Sequence, residues 1–158
     1  MVEAIILFSH GSVLCGAGET LEALAERLRG RDAAIVEIGY LNYSTPTFAT
    51  AVERCVAAGV RRIVVAPYFL VPGKFVTVDL PRSIAAVRER FPDVEVIVAE
   101  PFRDHPALAH AILACAERAV PAATSFRSVM AITSACRLEP RCPFYGKPGC
   151  RAAAQVGA

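Results

Sequence analysis

Apolar runs alternate with stretches of helical periodicity along most of the chain. Runs rich in valine, isoleucine and leucine have the length of buried strands, and each is followed by a segment whose apolar residues recur at helical spacing. Such repeated strand and helix units are typical of an α/β fold with a mainly parallel sheet. The pattern therefore predicts an α/β domain in which helices flank that sheet.

Four apolar runs predict strands, and a fifth run is a candidate. The predicted strands are residues 3–9, 33–41, 61–70 and 94–102, with residues 128–135 as the candidate. The sheet would then have four or five strands. Because ligands bind outside the carboxyl ends of parallel strands, we expect the functional site where the loops at that edge converge. These loops are residues 9–19, 41–45, 70–79 and 100–105.

The segments between the strands predict helices. They are residues 20–30, 45–59, 81–91 and a segment that begins at residue 106. Thr45 can cap the second helix, and Pro46 suits its first helical position. In the fourth helix, Leu108, Ile112 and Cys115 share an apolar face, which we expect to be buried.

Composition and charge exclude several classes of protein. A chain of 158 residues, 54% of them hydrophobic, can form a real core. The net charge of +2, spread over scattered basic residues, argues against a nucleic-acid partner. No apolar run approaches the roughly 20 residues that cross a bilayer, and no cationic leader precedes the first strand. We therefore expect a cytoplasmic protein with no membrane partner.

His10 is the first candidate for chemistry, because it directly follows the first predicted strand. An imidazole at that edge can bind a metal or transfer a proton, although many histidines only form structural hydrogen bonds. A hydrolase would need Ser9 or Ser12 to pair with His10. Ser9 and His10 are neighbours on a strand and so point to opposite faces, and no nucleophile-elbow motif is present. A hydrolase is therefore disfavoured.

Three segments in chain order carry a family resemblance. ILFSHGS ends the first strand, a long segment runs from EIGYLNYSTPTF to PYFLVPGKFVTVDLP, and VIVAEPFRDHPALA follows. Together they resemble the small sirohydrochlorin chelatases of the CbiX and SirB type, over about residues 3–118. The resemblance implies a chelatase-like three-layer α/β fold, usually a homodimer in the short forms, with a cleft that receives a tetrapyrrole.

The resemblance also implies a function. Members insert cobalt, iron or nickel into sirohydrochlorin, on routes to cobalamin or siroheme. His10 matches the first histidine of the family's site, where an imidazole can bind the metal and accept a pyrrole proton. The residues that would contact the tetrapyrrole are Ser12, Asn42, Tyr43, Gly73, Lys74 and Phe75.

Two positions depart from the family pattern. This chain has Asn42 where many members have glutamate, and Phe75 where they have histidine. An amide oxygen is a weak ligand for these metals and a phenyl ring is none. Three interpretations stay open. In the first, the protein is a chelatase and the macrocycle supplies most of the metal ligands. In the second, the protein binds a tetrapyrrole or a metal without catalysing insertion. In the third, further metal ligands come from elsewhere in the chain, such as Cys15 or the cysteines of the tail.

Lys74 and Phe75 have a plausible role in all three interpretations. Sirohydrochlorin carries many carboxylates, with which the ammonium of Lys74 could pair, while Phe75 could stack on the macrocycle or cover it. The alternatives are a solvated lysine and a core phenylalanine.

The cysteines fall into two groups. Cys55 and Cys115 lie on the apolar faces of predicted helices, where we expect them to act as small hydrophobic side chains. The other group comprises Cys15, in a predicted loop, and three cysteines in a tail rich in proline, glycine and arginine: Cys136, Cys142 and Cys150. The spacing of the tail cysteines matches neither a zinc ribbon nor a ferredoxin motif. An iron-sulfur cluster or metal site completed by another ligand, and incidental thiols, both stay open.

The composition changes near the end of the last predicted strand. Periodicity disappears there, and proline, glycine and arginine become frequent. We therefore expect a chelatase-like domain at residues 1–135 and an irregular tail at residues 136–158.

Overall fold

The computed structural model of this chain describes residues 3–11, 17–29 and 35–121, with the side chains of 17–19 left out. Its elements follow the predicted order. They are β1 (Glu3–Ser9), α1 (Ala17–Arg29), β2 (Ile35–Tyr40), α2 (Phe48–Ala57), β3 (Arg62–Pro67), a π-helical turn (Phe75–Asp79), α3 (Leu80–Arg90), β4 (Glu95–Val98) and α4 (Pro106–Ala116).

The chain divides into two compact units. The first comprises Met1–Gly11 and Leu21–Arg103 and contains the sheet, α2, α3 and most of α1. The second comprises Ser12–Thr20 and Asp104–Ala158, and α4 lies in it. The predicted domain boundary at residue 135 lies outside the described residues and stays a prediction.

The strands of the first unit form a parallel sheet in the order β2-β1-β3-β4. Phe8 of β1 pairs with Gly39 of β2 on one side and with Pro67 of β3 on the other, so the carboxyl ends of these strands lie side by side. The predicted α/β class with a parallel sheet is confirmed. The candidate strand at residues 128–135 lies outside the described residues.

One face of the sheet packs against α2 and α3. Ala4, Ile6 and Phe8 alternate along β1 toward this face and are fully buried in a cluster with Phe48 of α2 and Leu80 of α3. The rings of Phe8 and Phe48 meet edge to face at 5.6 Å. Such a pair contributes about 0.5–1.5 kcal/mol beyond its buried area. This packing anchors the carboxyl end of β1 and the start of α2.

The other face of the sheet packs against α1. Leu7 of β1 and Val36 and Ile38 of β2 are buried there with Leu21 and Ala25 of the helix. The alternation along β1 thus supplies both hydrophobic layers, as expected for a strand that is buried on two faces.

Cys55 lies fully buried in the layer beneath α2. Burial raises the pKa of its thiol to about 11, and the charge of Glu37 adds to the effect. The prediction that Cys55 acts as a small hydrophobic side chain is confirmed.

The start of α2 differs from the prediction. Thr47 caps the helix, with its hydroxyl accepting a hydrogen bond from the Thr50 amide at 3.2 Å, so the assignment of Thr45 as the cap was wrong. Pro46 precedes the helix, and its carbonyl accepts from the Tyr40 amide at 3.0 Å. That bond holds Pro46 beside the end of β2. The next residue, Thr47, is therefore the cap, and the helix begins at Phe48.

The apolar stripe of α4 also differs from the prediction. Ile112 is 67% exposed, Leu113 is 64% exposed and Cys115 is exposed. Helical spacing identified an apolar face, but burial needs a second element to cover that face. The prediction that this stripe is buried was wrong for Ile112 and Cys115 within the described residues. Among those residues, no helix has the length and apolarity that a bilayer crossing requires.

Candidate active site at the carboxyl edge of the sheet

The loops after β1 and β2 are joined backbone to backbone. The Leu41 amide donates to the Ser9 carbonyl at 2.8 Å, and the Asn42 amide donates to the His10 carbonyl at 3.0 Å. These bonds continue the pairing of β1 and β2 beyond the strands. His10 and Asn42, which are distant in sequence, are thereby neighbours at the edge of the sheet.

Gly11 permits this close approach. Its φ is +83°, which favours glycine, and a Cβ at this position would lie 1.9 Å from the Asn42 carbonyl oxygen. Any other residue would have to push the two loops apart. Gly11 therefore fixes the separation of the backbones at His10 and Asn42.

A tight turn follows Asn42. The Ser44 amide donates to the Asn42 carbonyl at 2.7 Å, which places Tyr43 at the centre of a three-residue turn with φ of +60°. A bulky residue rarely adopts this conformation, and such strain occurs often at functional sites. The Tyr43 side chain is 68% exposed. The turn thus presents an aromatic ring to solvent beside Asn42.

The loop after β3 leads into the π-helical turn. The Gly73 carbonyl accepts from the amides of Val76 and Thr77, both at 3.0 Å, and the Phe75 carbonyl accepts from the Leu80 amide across the turn. Single π-turns occur frequently at functional sites. Leu80 is only 1% exposed, so the end of the turn is anchored in the core.

The π-turn places Phe75 against His10. Their rings are stacked, with centroids 5.5 Å apart and planes inclined by 17°. Phe69 lies 5.9 Å from His10 and 6.0 Å from Phe75, and it also contacts the buried Phe8 at 6.0 Å. His10 is nevertheless exposed, and Phe75 is 37% exposed. The imidazole therefore rests on aromatic rings at the surface, and the interpretation of Phe75 as a core phenylalanine was wrong.

Lys74 is ion-paired within the same turn. Its ammonium donates to both carboxylate oxygens of Asp79 at 3.0 Å, and the lysine side chain is 71% exposed. A pair at this exposure contributes at most about 1 kcal/mol. The lysine is thus not simply solvated, because it pairs with Asp79. Since that pair is weak, the ammonium can exchange Asp79 for another carboxylate at a small cost in free energy.

Exposed apolar side chains surround this edge of the sheet. We call Tyr43, Leu70, Val71 and Phe75 the apolar rim; Leu70 is 64% exposed and Val71 68%. No sequence motif singled out Phe69, Leu70 or Val71 as site residues. The available signal was the apolar run from residue 67 to 71, which continues beyond the end of β3 at Pro67.

Some predicted residues are not among those that the structure describes. Ser12 and Cys15, as well as Cys136, Cys142 and Cys150, fall outside the described residues, so their predicted roles stay predictions. Among the residues that the structure does describe, no group of three or more histidine, cysteine, aspartate or glutamate side chains could hold a metal ion. Within that part of the chain, His10 faces solvent without a ligand cluster around it.

A separate cleft of about 300 Å3 opens between α2 and α3. Leu41, Phe48, Ser83, Val87 and Arg90 are among the residues that line it, and His10, Lys74 and Phe75 are not. The aromatic cluster around His10 is therefore a different surface from this cleft.

Comparison with known proteins supports the resemblance. The profile of the family named CbiX matches residues 4–119. The chain is 39% identical over 89 residues to the sirohydrochlorin cobaltochelatase of Methanocaldococcus jannaschii. The aligned segment covers 56% of this chain and 62% of that protein. It is 32% identical over 102 residues to the sirohydrochlorin ferrochelatase of Priestia megaterium, which covers 64% of this chain and 38% of that protein. The chain thus spans less than two thirds of these relatives.

A solved structure agrees with these matches. A CbiX protein from Marinobacter aquaeolei VT8 superimposes with a TM-score of 0.64 at 31% identity, over 73% of this chain and 95% of that one. The fold and the sequence thus point to the same group of proteins, and the region matched by the family profile contains His10, Asn42 and Phe75. The chain belongs to the CbiX family.

Proposed function

We propose that this protein inserts a divalent metal ion, cobalt, iron or nickel, into a sirohydrochlorin-type tetrapyrrole. The observation that carries the proposal is the exposed His10 imidazole, held on aromatic rings at the carboxyl edge of the sheet in a chain of the CbiX family. The sirohydrochlorin cobaltochelatase and ferrochelatase among its relatives support the choice of reaction and, among the metals, cobalt and iron.

Metal insertion requires a proton acceptor. Two pyrrole N-H bonds break as the metal binds the macrocycle nitrogens, and two protons are released for each ion inserted. An exposed imidazole can accept a proton and pass it to water, and it can also bind a divalent ion on the way. We assign both roles to His10.

The apolar rim suits a flat macrocycle. Aromatic and aliphatic side chains that are 37% to 68% exposed can cover the face of a tetrapyrrole, while carboxylates at its edge stay in water. In this arrangement the Lys74 ammonium exchanges Asp79 for a substrate carboxylate. Asn42, Gly73 and Ser12 complete the proposed contacts.

The experiment uses the full chain and sirohydrochlorin under anaerobic conditions. Addition of Co2+, Fe2+ or Ni2+ should convert the absorption spectrum of the free macrocycle into that of the metal complex faster than without protein. A rate equal to the spontaneous one with every metal would contradict the proposal.

A second candidate function is binding without insertion. It is favoured by Asn42 and Phe75, which stand where the resemblance implies a glutamate and a histidine, and by the lack of a ligand group among the described residues. A spectral shift of sirohydrochlorin on binding, with no acceleration by any metal, would identify a tetrapyrrole carrier.

We further propose that the protein acts as a homodimer in the cytoplasm. Support for the dimer comes from the resemblance to the short members of the chelatase family, which are usually homodimers. Light scattering of the purified protein tests this: a monomer at micromolar concentration would contradict it.

The tail cysteines stay a separate proposal. Cys136, Cys142 and Cys150 would hold an iron-sulfur cluster together with a further ligand. Anaerobically purified protein should then contain iron and acid-labile sulfide, and Cys136→Ser should lose both. Absence of iron and sulfide from the wild type would favour incidental thiols.

A further inference from the structure

The ring of Phe75 stacks on the imidazole of His10. The two rings are nearly parallel, with planes inclined by 17°, at a centroid distance of 5.5 Å. This lies in the range of offset-stacked aromatic pairs. The second neighbour, Phe69, is inclined by 44° to the imidazole and therefore contacts it without lying parallel to it.

The position of the Phe75 ring is set by the turn that carries it. Its carbonyl accepts the Leu80 amide, and Leu80 is buried in the core, so one end of the turn is fixed. The ion pair between Lys74 and Asp79 connects the residues at the two ends of the same turn. Backbone and side-chain bonds together thus restrain the turn from which Phe75 reaches His10.

We propose that Phe75 is a positioning residue for His10. A ring stacked on the imidazole restricts its rotation about the side-chain bonds and covers one face, while both nitrogens lie in the ring plane and stay accessible at its edge. Metals and protons approach an imidazole in that plane. Phe75 therefore directs the nitrogens of His10 without touching the reacting atoms itself. This inference deepens the proposed function and rests on it for its catalytic consequence.

The stack has a spectroscopic signature that does not depend on activity. Protons that lie over the face of a phenyl ring resonate upfield, so the carbon-bound ring protons of His10 should be shifted upfield in the wild type. Phe75→Leu keeps an apolar side chain but removes the ring current, whereas Phe75→Tyr keeps the ring.

The test compares these variants by NMR and by metal insertion. Phe75→Leu should lose the upfield shift of the His10 protons and lower kcat by about three- to tenfold, the equivalent of one aromatic pair. KM should change less than kcat, because leucine keeps an apolar side chain in the apolar rim. Phe75→Tyr should retain both properties. Phe102→Leu is the matched control for the NMR measurement, because Phe102 is also 37% exposed and meets Tyr68 edge to face instead of contacting His10.

Two outcomes would overturn the proposal. One is a His10 resonance that Phe75→Leu leaves where it was, or that Phe102→Leu moves equally. The other is a Phe75→Leu variant with the kcat of the wild type. If the wild type inserts no metal while Phe75→Leu alone moves the His10 resonance, the proposed function fails but the positioning of the imidazole stands.

Discussion

The backbone of Gly11 passes so close to Asn42 that a Cβ on the glycine would lie 1.9 Å from the Asn42 carbonyl oxygen. This contact, together with the hydrogen bond from the Asn42 amide to the His10 carbonyl, holds the first two loops of the candidate site together. The placement of His10 therefore depends on a residue with no side chain.

Gly11→Ala should destabilise the protein. The substitution adds backbone strain at φ of +83° and a clash that only movement of the Asn42 loop can relieve, so we expect a loss of about 2 kcal/mol or more. The free energy of unfolding in urea measures it.

Gly59→Ala is the matched control for Gly11→Ala. Gly59 has the same φ of +83° but nothing within 4 Å of a Cβ, so this variant should lose only about 1 kcal/mol. Equal losses in the two variants would show that the contact with Asn42 contributes nothing.

Lys74→Gln should weaken substrate binding more than it slows insertion. Loss of an exposed cation that pairs with a substrate carboxylate should raise KM by about two- to fivefold at low salt, with kcat nearly unchanged. The effect should diminish as the salt concentration rises, because exposed charges are screened. Steady-state kinetics at two ionic strengths measures both trends.

Arg88→Gln provides the control for the Lys74 variant. Arg88 is an exposed cation in the last turn of α3, outside the proposed site. A similar change in KM for both variants would indicate a general effect of net charge, with no specific contact from Lys74.

Cys55 should make the stability of the fold fall at alkaline pH. Folding raises the pKa of its thiol from 9.0 to about 11, so the thiol ionises at lower pH in the unfolded chain than in the folded one. Ionisation therefore stabilises the unfolded state first and lowers the free energy of unfolding. The contribution is fully present below about pH 9 and is lost as the pH rises toward 11. Between about pH 9 and pH 10 the loss should be about 1 kcal/mol.

The measurement is urea unfolding of the wild type and Cys55→Ala across this range. The alanine variant starts less stable, because a small cavity replaces the thiol, but its stability should fall less steeply with pH. Parallel curves for the two proteins would show that Cys55 does not titrate as its burial implies.

Phe75→His should create a metal-binding pair. The substitution places a second imidazole against His10, where the rings are now 5.5 Å apart, and two nitrogen ligands hold a divalent ion better than one. We expect the affinity for Co2+ alone to rise on the order of tenfold, measured by calorimetry. His10→Ala added to Phe75→His should abolish the gain, and a gain that survives this change would place the metal elsewhere.

β1 was predictable because its apolar run faces the core on both sides. The predicted first strand coincides with Glu3–Ser9, since its two alternating faces fill both hydrophobic layers. The later strands are shorter than predicted at their carboxyl ends. Apolarity does not distinguish residues that face a core from residues such as Leu70 and Val71, which lie exposed in the loop after β3.

Contacts through space were less predictable than the elements. The position of His10 after β1 followed from the order of strand and loop. Its stack on Phe75 was not predictable, because it depends on a π-turn closed by the hydrogen bond from the Leu80 amide to the Phe75 carbonyl, and no sequence motif predicts that bond. The helix cap is Thr47 and not the predicted Thr45 for a similar reason, namely a contact between residues that are distant in sequence. Pro46 is held by Tyr40, a residue from the preceding strand.

Metal insertion should depend on the imidazole of His10. Single-turnover rates of cobalt insertion into sirohydrochlorin should be compared for the wild type, His10→Ala and His110→Ala, the last being an exposed histidine of α4. We expect His10→Ala to lose about 100-fold or more and to approach the spontaneous rate, while His110→Ala matches the wild type. Insertion by His10→Ala at the wild-type rate would show that His10 has no part in the reaction.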